Sequence, residues 1–100
     1  MLEQSHASAH RLVHLLADAE LTAATCESLT GGLVGATITS VPGASAIFRG
    51  GLITYASVLK TVLAGVDADW IDGHGVINAM TARQMATGCA QACQADLGLA

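Results

Sequence analysis

The chain has 100 residues, of which 52% are hydrophobic types and only 12% are charged, and its net charge is −4. A length of that order suits one small domain, and the apolar content excludes intrinsic disorder. The four cations, Arg11, Arg49, Lys60 and Arg83, are too few and too scattered for a nucleic-acid footprint, and no apolar run approaches the ~18 residues of a membrane span.

Residues 3–19 read as a helix, with Leu12, Val13, Leu16 and Ala17 recurring at helical spacing as an apolar stripe. The segment opens M-L-E-Q-S-H-A-S-A-H, which has neither the basic n-region nor the apolar core of a signal peptide. His6, His10 and His14 fall along one line beside the stripe. No cysteine or carboxylate at ligand spacing completes a metal site, so they read as solvated or interface histidines.

Leu21 to Glu27 reads as a strand, closed by the turn signal Gly31-Gly32. A short helix then runs to about Ser40, stopped by Val41-Pro42-Gly43. Ser45 to Phe48 makes a turn. Gly51 to Tyr55 reads as a second strand, β-branched and aromatic. Ser57 is placed to cap a helix through Leu63, and Asp67 to cap another through Ile71. Asp72-Gly73-His74-Gly75 reads as a loop and Val76-Ile77 as a short extended piece. Asn78 opens the last helix, which runs to about Ala95 with Met80, Met85, Ala86, Cys89, Ala90 and Cys93 inward. Leu97 to Ala100 has the apolar character of a third strand entering a sheet.

The order α-β-α-β-α-α-β indicates an α/β layered domain, a three-layer α/β/α sandwich around a central sheet. The chain stops inside an apolar run, so the sheet is expected to be incomplete at its C-terminal end. An unpaired apolar edge predicts association with further strands, as in a homo-oligomer. With one Trp, one Tyr and one Phe, the core falls to Ala, Leu, Val and Ile. Cys26, Cys89 and Cys93 lack the spacing of a disulfide framework, which predicts reduced thiols and a cytoplasmic location.

The stretch T-C-E-S-L-T-G-G, residues 25–32, gathers polar groups where a strand hands over to a helix. The first N–H groups of a helix lack partners and carry partial positive charge, and glycines let a ligand approach them. A hydroxyl beside such groups has the layout of a nucleophile with an oxyanion hole. The same layout serves a phosphate or carboxylate cradle, and the plainest reading is that Ser28 or Thr30 caps the helix. The stretch matches neither a Walker loop nor G-x-S-x-G. Ser28 and Tyr55 both fall at carboxyl ends of strands, where open α/β sheets bind ligands. Lys60, the only lysine, follows Tyr55 by five residues and is within reach of that crevice. A buried lysine that has lost its proton serves as base for a serine. The plainer readings are a solvated Lys60 and a core Tyr55 with its hydroxyl at the rim.

T-C-E-S-L-T-G-G-L-V-G-A, V-P-G-A-S-A-I-F-R-G-G-L-I-T-Y-A, L-K-T-V-L-A-G-V and H-G-V-I-N, in that order, resemble the C-terminal domain of the competence-damage protein CinA. The resemblance runs from about residue 10 to residue 100. Stand-alone relatives in that family are nicotinamide-nucleotide amidases. The resemblance therefore implies a bacterial enzyme of pyridine-nucleotide salvage. It would hydrolyse nicotinamide mononucleotide to nicotinate mononucleotide and ammonia, with no metal or cofactor and a small-molecule nucleotide as its only ligand. The family's E-S-x-T-G-G motif falls on Glu27, Ser28, Thr30, Gly31 and Gly32, with Ser28 as nucleophile and the others around substrate and oxyanion. Its tyrosine and lysine fall on Tyr55 and Lys60, which the resemblance implies are catalytic with Ser28: Lys60 as base, and Tyr55 as a hydrogen-bond donor to Lys60 or a proton source for the leaving ammonia. Phe48 and Gly51 match its F-x-x-G stretch, and Arg49 inside that stretch is a candidate for substrate phosphate. The family's Ser-Asn after the tyrosine is Ala56-Ser57 here. Its T-G-x-A-G-P loop follows the strand that starts at Leu97 and is absent, so residues 1–100 correspond to the first part of a longer family domain. The alternative reading is a pyridine-nucleotide binder without catalysis, or an inactive fragment.

Overall fold

Ala23, Ala24, Thr25, Cys26 and Glu27 form β1 (Ala23–Glu27), and all five are buried. A parallel strand with no exposed face has to be covered on both sides, and the rest of the chain does this. The computed structural model describes residues 2–100, with side chains from residue 4 onward. Its elements in chain order are α1 (Leu2–Ala19), β1, α2 (Leu33–Thr39), a 3-10 turn (Ala44–Ala46), β2 (Phe48–Ile53), α3 (Ser57–Val62), α4 (Ala68–His74), α5 (Ala79–Ala92) and β3 (Leu97–Leu99). The sheet is parallel in the order β2-β1-β3. Among the described residues no helix is long and apolar enough to cross a membrane.

Side chains alternate along β1 and so feed two separate cores. On one face Ala23 packs with Ala9, Val13 and Leu16 of α1, Ile38 of α2, and Val41 and Ile47. On the other, Ala24 and Cys26 pack with Met85 and Cys89 of α5 and with Ala64 and Val66. Fully burying a side chain such as Ile47 or Val66 contributes about 1.5–3 kcal/mol, and both are at most 1% exposed. The result is the three-layer α/β/α sandwich that the element order indicates. In α1 the buried stripe is Ala9, Val13 and Leu16, with Leu12 half-buried and Ala17 exposed.

Several boundaries differ from the sequence expectation, each for a local reason. β2 occupies Phe48–Ile53 rather than Gly51 to Tyr55. Its pairing begins at Ala23 with Phe48, then slips so that Ala24 faces Gly50, leaving Arg49 as the extra residue of a bulge. Gly50 absorbs the slip at φ 153°. A Cβ on Gly51 would run into Thr25 Oγ1. The glycines that read as breakers are what lets β2 lie against β1. α4 continues through Asp72, Gly73 and His74, which read as a loop, and stops at Gly75 with φ 81°. Val76 and Ile77 lie in a bend, not an extended piece. Asp67 and Asn78 cap as expected, accepting from the N–H of Asp69 at 2.9 Å and of Thr81 at 2.8 Å. Ser57 does not cap α3: Ala56 holds that position, with no side-chain bond. α5 ends at Ala92, and Met80, at 41% exposure, is not inward.

Candidate active site

Ser28 is the residue after β1, at the carboxyl edge of the sheet. Lys60 projects from α3 and is only 3% exposed. Its Nζ donates to Ser28 Oγ at 3.1 Å and to the carbonyl oxygen of Thr54 at 2.7 Å. Both acceptors are uncharged. A lysine amine buried against uncharged acceptors is an expensive arrangement.

Thr54 is the residue that the sequence reading missed. It is fully buried, its N–H donates to the Glu27 carbonyl at 2.7 Å, and its hydroxyl meets Cys26 Sγ at 3.6 Å. It locks the ends of β1 and β2 together while its carbonyl receives Lys60. The one signal for it in the sequence is a polar residue directly before Tyr55, at the end of a β-branched run.

Glu27 folds back over the start of α2. Its Oε1 accepts from the N–H of Gly32 at 3.2 Å and Val34 at 2.8 Å, and its Oε2 from Gly35 at 3.0 Å. Burial alone would push its carboxyl up, but bonds from Gly35, Val34, Thr30 and Gly32 together hold it below the ordinary value of 4.5. A Cβ at Gly35 would lie 3.4 Å from Glu27 Oε2, so a residue without a side chain leaves room for the carboxylate. The start of α2 is therefore not an open anion cradle: its donors already hold an anion, Glu27.

The other expected site residues divide. Thr30 and Gly31 are exposed in the turn after Ser28, and Gly32 is half-buried there. Tyr55 is 74% exposed and, among the described residues, bonds neither Ser28 nor Lys60. Arg49 sits in the bulge opposite the beginning of β1, and its Nε donates to the Cys93 carbonyl at 3.2 Å. At ~3.3 Å of rise per residue, the strand separates it from Ser28 by roughly 15 Å, so the structure does not bring it to Ser28. His6, His10 and His14 stand in a row with ring centroids 5.6 and 5.3 Å apart. Among the described residues no cluster of three or more histidine, cysteine or acidic side chains is placed to hold a metal ion. His74 stacks on Trp70 at 3.6 Å, on α4.

A cavity of about 340 Å³ opens beside Ser28, lined by Cys26, Ser28, Leu29, Val34, Met85 and Leu99, among others. It lies at the carboxyl ends of β1 and β3. Burial pushes the Cys26 thiol up, and that of Cys89 to about 11, so both stay protonated and weakly nucleophilic near neutrality. Of the hydroxyls on the cavity wall, Ser28 is the one in contact with Lys60 Nζ, which makes it the nucleophile candidate.

A parallel α/β sandwich with its polar groups at the carboxyl ends of the strands has the ligand crevice of open α/β proteins. Its family is also clear, since the model described as the CinA C-terminal domain matches residues 5–100, and the chain belongs to that family. It is 43% identical over 88 residues to a CinA-like protein of Chlorobaculum tepidum, covering 88% of this chain and 21% of that protein. It is 41% identical over 92 residues to Protein MG115 of Mycoplasma genitalium, covering 92% of this chain and 59% of that one. The crystal structure of the competence/damage inducible protein CihA from Agrobacterium tumefaciens superposes with a TM-score of 0.85 at 29% identity, over 93% of this chain and 55% of that chain. The chain thus spans about half of that structure and a fifth of the longer relatives.

Proposed function

We propose that the protein is an amidohydrolase of the nicotinamide-nucleotide amidase type, converting nicotinamide mononucleotide to nicotinate mononucleotide and ammonia. The observation that carries the reading is the buried Lys60 amine at 3.1 Å from Ser28 Oγ, with the Thr54 carbonyl as its other partner among the described residues. With Lys60 neutral, donor and acceptor exchange across that contact. The Thr54 carbonyl still takes one N–H, and the lone pair faces the Ser28 hydroxyl. Lys60 removes the Ser28 proton as Oγ bonds to the carboxamide carbon. The C–N bond then breaks, and Lys60 returns its proton to the leaving ammonia. Water adds to the resulting ester, giving up a proton to Lys60, and releases the carboxylate while Ser28 recovers its hydrogen. The apolar walls Val34, Met85 and Leu99 offer contact for the flat face of the nicotinamide ring, a pyridinium in the nucleotide. Tyr55, 74% exposed and bonded to neither Ser28 nor Lys60 among the described residues, is not assigned to proton transfer. The unpaired thiols of Cys26, Cys89 and Cys93 support a reducing compartment, the bacterial cytoplasm.

The test is release of ammonia and nicotinate mononucleotide by the intact protein, with Ser28→Ala alongside. The variant is expected to keep its circular dichroism and lose turnover. Binding of the nucleotide with no turnover by the parent protein would favour the non-catalytic binder instead. Turnover retained by Ser28→Ala would remove the nucleophile assignment.

A further inference from the structure

The backbone donors after Ser28 can be accounted for one by one. The N–H of Gly31 donates to the Ser28 carbonyl at 3.1 Å, and that of Leu33 to the Thr30 carbonyl at 3.1 Å. Those of Gly32, Val34 and Gly35 are held by the Glu27 carboxylate. Every N–H from Gly31 through Gly35 is thus committed inside the protein. Among the described residues nothing accepts from the N–H of Leu29 or Thr30. Both residues line the same cavity as Ser28. An oxyanion hole needs donors that are free before the substrate arrives and fixed in place. The glycines suggested by the sequence motif fail the first condition, and Leu29 and Thr30 meet it.

The second condition is met by Glu27. The turn from Ser28 to Gly31 is closed by the Gly31 bond at one end, and the Glu27 carboxylate grips the residues behind it. We propose that the oxyanion is held by the backbone N–H groups of Leu29 and Thr30, and that Glu27 is the positioning residue that fixes the turn presenting them. This rests on the amide-hydrolysis reading above. As Ser28 Oγ bonds to the carboxamide carbon, the carbonyl π pair moves onto oxygen, where the two N–H groups meet it. The pair returns when the C–N bond breaks and ammonia leaves with the proton from Lys60.

Leu29 supplies the direct test. It is the second residue of the turn, its φ is not positive, and its side chain is 88% exposed. Proline is favoured at that turn position and carries no N–H. In the intact protein, Leu29→Ala should stay close to the parent, while Leu29→Pro should lower kcat by about a hundred- to a thousand-fold. A folded Leu29→Pro with parental kcat overturns the assignment. Glu27→Gln should lower kcat while KM stays within about twofold, and amide exchange at Gly32, Val34 and Gly35 should speed up. A raised KM at unchanged kcat makes Glu27 a substrate ligand instead.

A measurement without turnover keeps the donor assignment separable from the substrate reading. 3-Pyridylboronic acid forms a tetrahedral adduct on a reactive serine and places a boron-bound oxygen where the oxyanion would be. In the intact protein the amide protons of Leu29 and Thr30 should then move downfield, while those of Gly31 and Gly32 stay. Movement at Gly31 and Gly32 instead overturns the proposal, as does failure to form an adduct at Ser28. The expected shifts in a protein that leaves nicotinamide mononucleotide intact would uphold the donors and overturn the substrate.

Discussion

Lys60 Nζ and Ser28 Oγ, 32 residues apart in sequence, lie 3.1 Å apart at the carboxyl edge of the sheet. Neither sits there by chance of the surface, because the lysine stem passes through the interior and leaves only 3% of the residue exposed. Replacing the lysine by arginine separates charge from basicity. Arginine keeps the cation and cannot give up a proton. Lys60→Arg and Lys60→Met are both expected to lose at least about a hundredfold in kcat/KM for ammonia release, the usual scale for a missing general base. The methionine variant should remain folded, since replacing a buried polar side chain by a well-packed apolar one of similar length is often neutral. Near-parental turnover by Lys60→Arg would mean that the lysine serves only as a positive charge.

Glu27 makes stability depend on pH with a definite sign. Its folded-state pKa is held below the ordinary 4.5 because Gly35, Val34, Thr30 and Gly32 donate to the carboxylate against the opposing effect of burial. The contribution is therefore fully present above the unfolded value and is lost as pH falls through the folded one. At pH 7 the intact protein should exceed Glu27→Gln by about 1.5–3 kcal/mol, the scale of hydrogen bonds to a charged group. The gap should close as pH drops below the ordinary carboxylate range. Urea unfolding of both proteins across that range checks it, and a gap that does not change with pH would show that the carboxylate's charge plays no part.

Arg49 gives the opposite kind of expectation. It follows the beginning of β2, its Nε is bonded to the Cys93 carbonyl, and the length of the sheet lies between it and Ser28. Arg49→Ala should leave KM for the nucleotide within about twofold, and as an exposed substitution it should shift stability by no more than about 0.5 kcal/mol. A tenfold rise in KM would place substrate phosphate near the bulge after all.

The contrast between Lys60 and Arg49 shows which parts of the site were legible in the sequence. Ser28 was readable because it sits directly past a strand, where open parallel sheets put ligands, and Lys60 because it is the only lysine and lies on the helix that follows the next strand. Arg49 was a candidate for substrate phosphate because it lies inside the F-x-x-G stretch of the family, and a motif match does not say at which end of a strand a residue falls. Starting β2 at Phe48 puts the arginine at the far end of the sheet. Glu27 was placed around substrate and oxyanion because it opens the E-S-x-T-G-G motif of the family. Its return to three N–H groups of α2 is visible only once the helix is in place. Thr54 acts through its backbone carbonyl, which no residue type advertises. Gly73 was read as a loop because glycine is a weak helix former, yet it lies inside α4.

Glycines inside helices test the packing most sharply. Gly88 lies within α5, where helix propensity alone would favour alanine by about 1 kcal/mol. A Cβ at that position would run into the backbone carbonyl of Ala64, which cannot step aside as a flexible side chain would. Gly73 lies within α4 with nothing near the position of its Cβ and no positive φ. The same substitution should therefore have opposite signs. Gly73→Ala should raise stability by roughly 0.5–1 kcal/mol through reduced freedom of the unfolded chain and better helix propensity. Gly88→Ala should lower it by about 1–3 kcal/mol, the cost of overpacking a close contact. For a domain of about this size, each kcal/mol shifts Tm by about 4–8 °C, so both effects are readable by thermal melting of the intact protein. Gly88→Ala melting at or above the parent temperature would mean that α5 does not lie against Ala64. It would also mean that the close helix-to-backbone contact flanking the Cys26 core is not present as described.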